Sequence, residues 1–551
     1  MHLNMLPKIL TLPSGWCENK TRSCLKMRIP KNSAVGTASL IFHYIRQTIL
    51  KSEPMKRIYL ILSIILITSF SIQAQQMFKK YSGQDIGNPK LKGSFQFDEK
   101  LQKFTVQGAG YNIWLARDEF HFVSQEVEGD FIISANIKFI GDGTDPHRKI
   151  GLMIRNSNAE NAVYVDGAVH GDGLTSLQYR EKTGAETLEK AAEKKEIQNF
   201  VQLERKGDEF IFRISKDGLP LVEVAKVNLE MGKSVLAGMF IGSHNVDVIE
   251  KADFWNVRIE KPAAEGVDGY QTPSPSRLEI LDVETGVRKV VYETDSHIEA
   301  PNWSRDGEFL IYNSGGKLYK FNLKDSKISQ INTGNVVSNN NDHGISFDSK
   351  MLAISSSTEY NGQNHSMVYT VPLEGGQPKL ITQKGPSYWH GWSPDGKWLT
   401  YTANREDNWD IYKIPSVGGD EIRLTSAEGL DDGPEFLPNG KYIYFNSTRT
   451  GLMQIWRMKP DGSEQEQITF DDYQNWFAHP APNGKQMVII SYPTTVQATS
   501  HPHNQRVMLR LLPVDGGEKI VAAFLYGGQG TINVPSWSPD SKKLAFVSYT
   551  Y

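Results

Sequence analysis

The sequence predicts an all-β chain in which an antiparallel β-sandwich precedes a six-bladed β-propeller. Three observations predict it. A short phrase ending in turn residues recurs six times in the C-terminal half. The region ahead of it reads as short alternating strands bounded by turns. The strand pair that the last repeat lacks stands at the start of the repeat region.

The phrase begins at Trp303 (WSRDG), Ile345 (ISFDS), Trp392 (WSPDG), Phe436 (FLPNG), Pro480 (PAPNG) and Trp537 (WSPDS). The successive spacings, 42, 47, 44, 44 and 57 residues, are blade lengths. An aromatic or apolar residue ends an inner strand, Pro presets φ for the turn, and Asp-Gly or Asn-Gly supplies the positive φ that closes a hairpin. The next strand follows at once, as at 398–402 (WLTYT), 442–446 (YIYFN) and 544–548 (LAFVS). Only one strand follows the last phrase. Its missing partners are expected at 277–283 and 287–293, so a blade shared by N- and C-terminal strands would close the ring and remove its edges.

Upstream, strands are expected at 131–140, 200–205, 210–215 and 252–260, separated by turns such as Gly207-Asp208 and Asp217-Gly218. The stretch Gly151-Leu152-Met153-Ile154-Arg155, followed by His170-Gly171-Asp172-Gly173 and Leu177-Gln178-Tyr179-Arg180, resembles concanavalin-like or laminin-G-like jelly rolls. That resemblance implies a jelly-roll-like sandwich, with glycan contact and a structural docking role as alternatives. Asp142, Asp145, Asp166 and Asp172 lack the regular spacing of a calcium loop and read as turn residues. Residues 263–276, polar and bearing Pro and Gly, read as a linker between a sandwich at 78–262 and a propeller at 277–551.

Lys56-Arg57, the apolar run 58–70 and the small-residue exit at 71–74 have the form of a secretory signal peptide. Residues 1–54 then read as a non-native upstream segment, and Cys17 and Cys24 both fall inside it. A mature chain without cysteine has no disulfide, thiolate nucleophile or cysteine metal site. Residues 1–74 hold ten Lys/Arg and two Asp/Glu, so the remainder carries a formal charge of −11 in place of −3. That balance excludes nucleic acid and anionic membrane as expected partners. A periplasmic or secreted protein with no integral membrane segment in the mature chain is expected.

The WSPDG repeats, with Thr448-Arg449-Thr450-Gly451 ahead of Ile455-Trp456-Arg457-Met458 and with Pro460-Asp461-Gly462, resemble TolB-family (WD40-like) propellers over 277–551. TolB carries an α/β domain before its propeller where this sequence predicts a sandwich. The resemblance therefore implies the fold and not a role in the Tol envelope system.

In a four-stranded blade the loop leading into the inner strand and the loop between the second and third strands emerge on one face. The leading segments carry His297 and Glu299, Asp342 and His343, Trp389 and His390, Asp431 and Asp432, Asn475 with Trp476 and His479, and Asn533; the second-to-third-strand loops carry His365, His501 and His503. All seven propeller histidines thus map to one face, which polar loops alone would also populate. The expected ligand-binding set is His297, Glu299, His343, Trp389, His390, Asp431, Asp432, Asn475, Trp476, His479 and Asn533, with the two tryptophans as stacking surfaces.

Three functions compete. The first is an exported protein that binds a protein partner or glycan fragment on this face. The second is a metal-dependent carbohydrate-active enzyme, a lyase or hydrolase acting on acidic sugars. Similarity to oligogalacturonate lyases implies a divalent metal held by His390, His479, His501, His503 and Gln505, although no diagnostic motif of that family is present and its ring has more blades. The third is a structural envelope scaffold. No G-x-S-x-G elbow accompanies the propeller, which excludes a prolyl-oligopeptidase arrangement. Residues 527–533 (GGQGTIN) run into an inner strand rather than a Lys and a helix, so they read as a blade connection and not a phosphate loop.

Overall fold

A computed structural model describes residues 77–267, 272 and 274–551. The expected upstream segment and signal peptide, both cysteines, and residues 268–271 and 273 of the expected linker lie outside the described residues. Among the described residues, no helix is long and apolar enough to cross a membrane.

The N-terminal strands form two seven-stranded antiparallel sheets. One runs in the order Ser82–Ile86, Phe120–Glu128, Ser234–Gly242, Lys149–Arg155, Tyr164–His170, Thr175–Arg180 and Leu188–Ala191. The other runs Val222–Asn228, Glu209–Ser215, Phe200–Lys206, Phe131–Ile140, Asn245–Glu260, Lys103–Gly110 and Ser94–Asp98. Alternation drives the packing: Phe104, Val106, Phe131, Ile133, Leu152, Ile154, Phe212 and Phe254 come from both sheets and share one buried cluster.

Five four-stranded antiparallel blades come next, beginning with the inner strands Glu299–Trp303, Asn339–Ile345, Ser387–Trp392, Asp431–Phe436 and Tyr473–Pro480. The sixth blade joins the two ends of the propeller. Lys543–Tyr549 pairs with Ser276–Asp282, which pairs with Arg288–Thr294, and the inner position is a bridge between Trp537 and Leu544.

The recurring phrase folds each inner hairpin by side-chain chemistry. The hydroxyls of Ser304, Ser346, Ser393 and Ser538 donate to Asp306, Asp348, Asp395 and Asp540 at 2.5–2.7 Å. The same hydroxyls accept the backbone N–H five residues on, at 2.9–3.0 Å. Where the phrase lacks Ser, Asn439 and Asn483 accept from the N–H of Lys441 and Lys485 at 2.9 Å. The turn then needs a left-handed residue. Gly307, Gly396, Gly440 and Gly484 supply it, with Ser349 and Ser541 in the same conformation at φ 61° and 62°.

The two halves belong to one compact unit. Their junction is centred on Glu279, a fully buried carboxylate in a strand of the closing blade. It accepts from Arg258 Nη2 at 2.7 Å, Arg288 Nη2 at 2.8 Å and Ser548 Oγ at 2.6 Å. Arg258 belongs to the last strand of the sandwich, Arg288 to the outer strand of the closing blade and Ser548 to the final strand. Burial alone would raise the carboxyl pKa; the two guanidiniums reverse this and hold it far below the usual carboxylate range. Gln102 adds a two-way bond to Val290 at 2.9 Å, and Phe200 packs on Phe524 with ring centroids 4.7 Å apart.

Glu279→Ala leaves two buried guanidiniums without their counter-charge. It is expected to lower stability by roughly 3–5 kcal/mol, read as a shifted urea midpoint, whereas Ser393→Ala, loss of one turn hydroxyl, should cost only about 1 kcal/mol.

Candidate functional site

The mouth end of the propeller encloses a cavity of about 1080 Å³. Both classes of loop line it: inner-strand segments supply Glu299, Asp342, Tyr388, His390, Asp432 and Asn533, and second-to-third-strand loops supply Gly315, Asp407 and His501.

The inner strands do not run straight into this cavity. In all five complete blades their register slips, between Glu299 and Asn302, Asn339 and His343, Trp389 and Gly391, Asp432 and Glu435, and Trp476 and His479. Ala300, Gly433 and Phe477 sit at these slips with φ of 55°, 65° and 51°. A left-handed Phe is costly, and bulges that re-aim side chains gather near binding sites. Here Phe477 itself lines the cavity, stacked on His390 with ring centroids 5.9 Å apart.

Two polar centres stand on the wall. In the first, His390 Nε2 lies 3.2 Å from Asp432 Oδ1, which also accepts from Thr402 Oγ1 at 2.7 Å. Burial opposes a charge on His390, but the hydrogen bond and charge of Asp432 outweigh it and raise the imidazole pKa. Burial also works against Asp432, yet His390 brings its pKa down to about 2. Asp342 is buried within reach of both charges; desolvation and the charge of Asp432 push its pKa up to about 7 against the attraction of His390. The two carboxyl pKa values are thus pushed apart, Asp342 upward and Asp432 downward.

In the second centre Glu299 Oε1 lies 3.2 Å from His297 Nε2 and 3.0 Å from His503 Nε2. Burial disfavours its charge, but both imidazoles bond to it and bring the pKa down to about 2. His297 stacks on Tyr549 at 5.0 Å.

Of the sequence-predicted residues, His297, Glu299, His390, Asp432 and Asn533 from the ligand-binding set and His501 from the metal set line the cavity, as does Asp342; His343, Trp389, Asp431, Asn475, Trp476, His479, His503 and Gln505 are not lining residues. Trp389 and Trp476, 1% and 0% exposed, are core residues and not stacking surfaces. A Cβ at Gly344 would meet the Trp389 ring at 2.0 Å, so the ring fills the space that this glycine leaves. His343 is fully buried, with Nε2 3.3 Å from the Ile311 carbonyl, and burial brings its pKa down to about 4. Asp431 turns away to Arg449 at 2.6 Å, and Asn475 is engaged by Asp471, Ser491 and Arg510.

The expected metal set does not converge. His479 lies nearer the phrase turns, 2.5 Å from Glu435 and bonded to the Ile532 carbonyl. His501 rests edge-on against Trp476 at 4.4 Å, and Gln505 reaches only the His503 carbonyl, at 3.4 Å. Of the five, only His503 belongs to a group with metal-ligand spacing, and its companions there are His297 and Glu299. His365, at the second-to-third-strand turn of its blade, is not a lining residue.

The aromatic lining is Tyr388, Trp409 and Phe477. Tyr388 stands beside Trp389, and Phe477 beside Trp476, so the sequence locates the aromatic character to within one position. Trp409 sits beyond the second-to-third-strand turn in a WD pair and has no signal separating it from core.

The TolB beta propeller domain family matches residues 390–512. An uncharacterized protein of Agrobacterium fabrum is 46% identical over 275 residues, covering 50% of this chain and 92% of that protein. A solved structure described as a putative TolB from Agrobacterium tumefaciens shares 46% identity, covers 50% of this chain and 99% of its own, and superposes with a TM-score of 0.49. The Tol-Pal system protein TolB of Francisella tularensis is 28% identical over 127 residues, 22% of this chain and 28% of its own length.

A raised acid pKa favours the folded state below the unfolded value and loses that advantage as pH rises toward the folded one. Asp342 therefore contributes stability near pH 4 that disappears by about pH 7. Asp342→Asn should unfold at a higher temperature than the parent at pH 8, with the gap narrowing as pH falls to 4; a pH-independent gap would refute the assignment.

Proposed function

Because this chain belongs to the TolB-like β-propeller family, we propose that it is an exported binding protein whose propeller funnel holds a neutral or cationic glycan fragment. The observation that carries this reading is the composition of the cavity wall. Tyr388, Trp409 and Phe477 offer ring faces, while Asn313, Asn341, Gln529 and Asn533 accompany the carboxyl groups of Glu299, Asp342, Asp407, Glu428 and Asp432. Aromatic faces bind the C–H side of a sugar ring, and amides and carboxylates bind its hydroxyls. A volume of about 1080 Å³ accommodates a short oligosaccharide rather than a folded domain.

The same wall argues against an acidic sugar as a direct ligand. Among the described residues no Lys or Arg lines the cavity, and Glu299 and Asp432 are held ionised. A uronate would meet net negative charge unless a cation came with it.

A protein partner is the second reading, favoured by the name of the Francisella relative, a Tol-Pal system protein. Such a partner would use the same mouth by inserting an extended segment. Export to the periplasm or beyond is supported by the signal-peptide pattern at 55–74 and the net acidity of residues 75–551. The sandwich, with its likeness in sequence to concanavalin-like folds, would add a second glycan contact or orient the funnel.

Calorimetric titration with neutral, amino and uronic oligosaccharides tests the reading. Neutral or amino-sugar fragments should bind, and Trp409→Ala should weaken them about tenfold, equivalent to ~1.4 kcal/mol. If none of these sugars binds, or if Trp409→Ala and Asp432→Asn bind as the parent does, the glycan reading fails.

A further inference from the structure

We propose that His297, Glu299 and His503 form a binding site for one divalent first-row transition ion, with Zn²⁺ the best match, whose open side faces the funnel. Each offers a ligand atom, and these atoms all lie within 4.8 Å of one another. The two nitrogen-to-carboxylate distances, 3.2 and 3.0 Å, match the roughly 3 Å between donors that share an ion at about 2.0–2.2 Å. Among the described residues this is the one cluster of three or more such side chains with that spacing. Two imidazoles and a carboxylate suit a borderline ion and leave a fourth position for an outside oxygen.

The chain has gone to some length to assemble it. His297 and Glu299 lead into the first blade, whereas His503 lies in the long connection of the fifth blade, inside the 57-residue interval where other repeats take 42 to 47. That connection spans the closing blade to reach Glu299, 204 positions away in sequence. Room for the carboxylate comes from Gly530, where a Cβ would stand 2.3 Å from Tyr549 Oη and 2.7 Å from Glu299 Cγ. His297 and Glu299 also line the cavity, so an ion held between them and His503 would present its vacant side to a hydroxyl oxygen of the funnel ligand.

The inference deepens the funnel reading but is tested apart from it, with metal alone. Chelator-treated protein is titrated with ZnCl₂ in a calorimeter and with CoCl₂ in a visible spectrometer, without sugar. One equivalent should bind, and Co²⁺ should develop a d–d absorption band. Glu299→Gln and His503→Asn should weaken Zn²⁺ by more than the roughly 10–100-fold that loss of a supporting partner costs, while His365→Ala should bind as the parent does. Absence of binding to the parent, or equal binding by all variants, overturns the site. Should a variant unfold by circular dichroism, the parent decides the matter: histidine ring resonances of His297 and His503 must shift on Zn²⁺ addition, and unmoved resonances refute the assignment. Sugar titrations in EDTA then report on the funnel reading independently.

Discussion

The architecture depends on one buried carboxylate. Glu279 is buried yet held toward its ionised form because Arg258, Arg288 and Ser548 surround it, and these three come from the sandwich, the opening strands and the final strand. An isolated charge in that position would be prohibitive, whereas a fully satisfied one is tolerable only in one arrangement of its partners. The constraint acts on geometry: this register of the closing strands and this seating of the sandwich bring both guanidiniums to the same carboxylate. Arg288 extends the network by donating to the Phe524 carbonyl at 2.7 Å, which links the fifth blade to the same point.

From that closure the funnel inherits its shape. Strand alternation separates Asp432 from Asp431 and Tyr388 from Trp389, and in the five complete blades slips in register re-aim single side chains such as Phe477. Asp432 faces the cavity while Asp431 meets Arg449; Asp342 faces it while His343 is sealed in the core. The result concentrates carboxyl groups around one cavity, where neighbours and burial set their protonation.

Much of the fold was legible because its causes are local. The Ser-x-Asp and Asn-Gly turns are satisfied within five residues, so the phrase states its own structure, and the unpaired strand at the end announces a partner at the beginning. The candidate site was legible only as a face. The expected set took whole leading segments as facing the funnel, whereas neighbours along a strand point to opposite sides, which is why His343, Asp431, Trp389 and Trp476 are buried beside lining residues and not in the funnel. The meeting of His503 with Glu299, and of Arg258 with Glu279, joins distant positions through tertiary packing, and no short window of sequence encodes it.

The closing blade has a further meaning for how the molecule behaves. A ring stitched from its two ends has a seam, and Lys543–Tyr549 is the thread. The His297, Glu299 and His503 group bridges the blades on either side of that seam, with Tyr549 of the thread itself stacked on His297. A ligand bound there would work as a rivet, its binding free energy adding to the work of unzipping the ring. Binding at that point and closure of the ring would then be coupled, because it lies against the one blade whose strands come from both ends of the propeller.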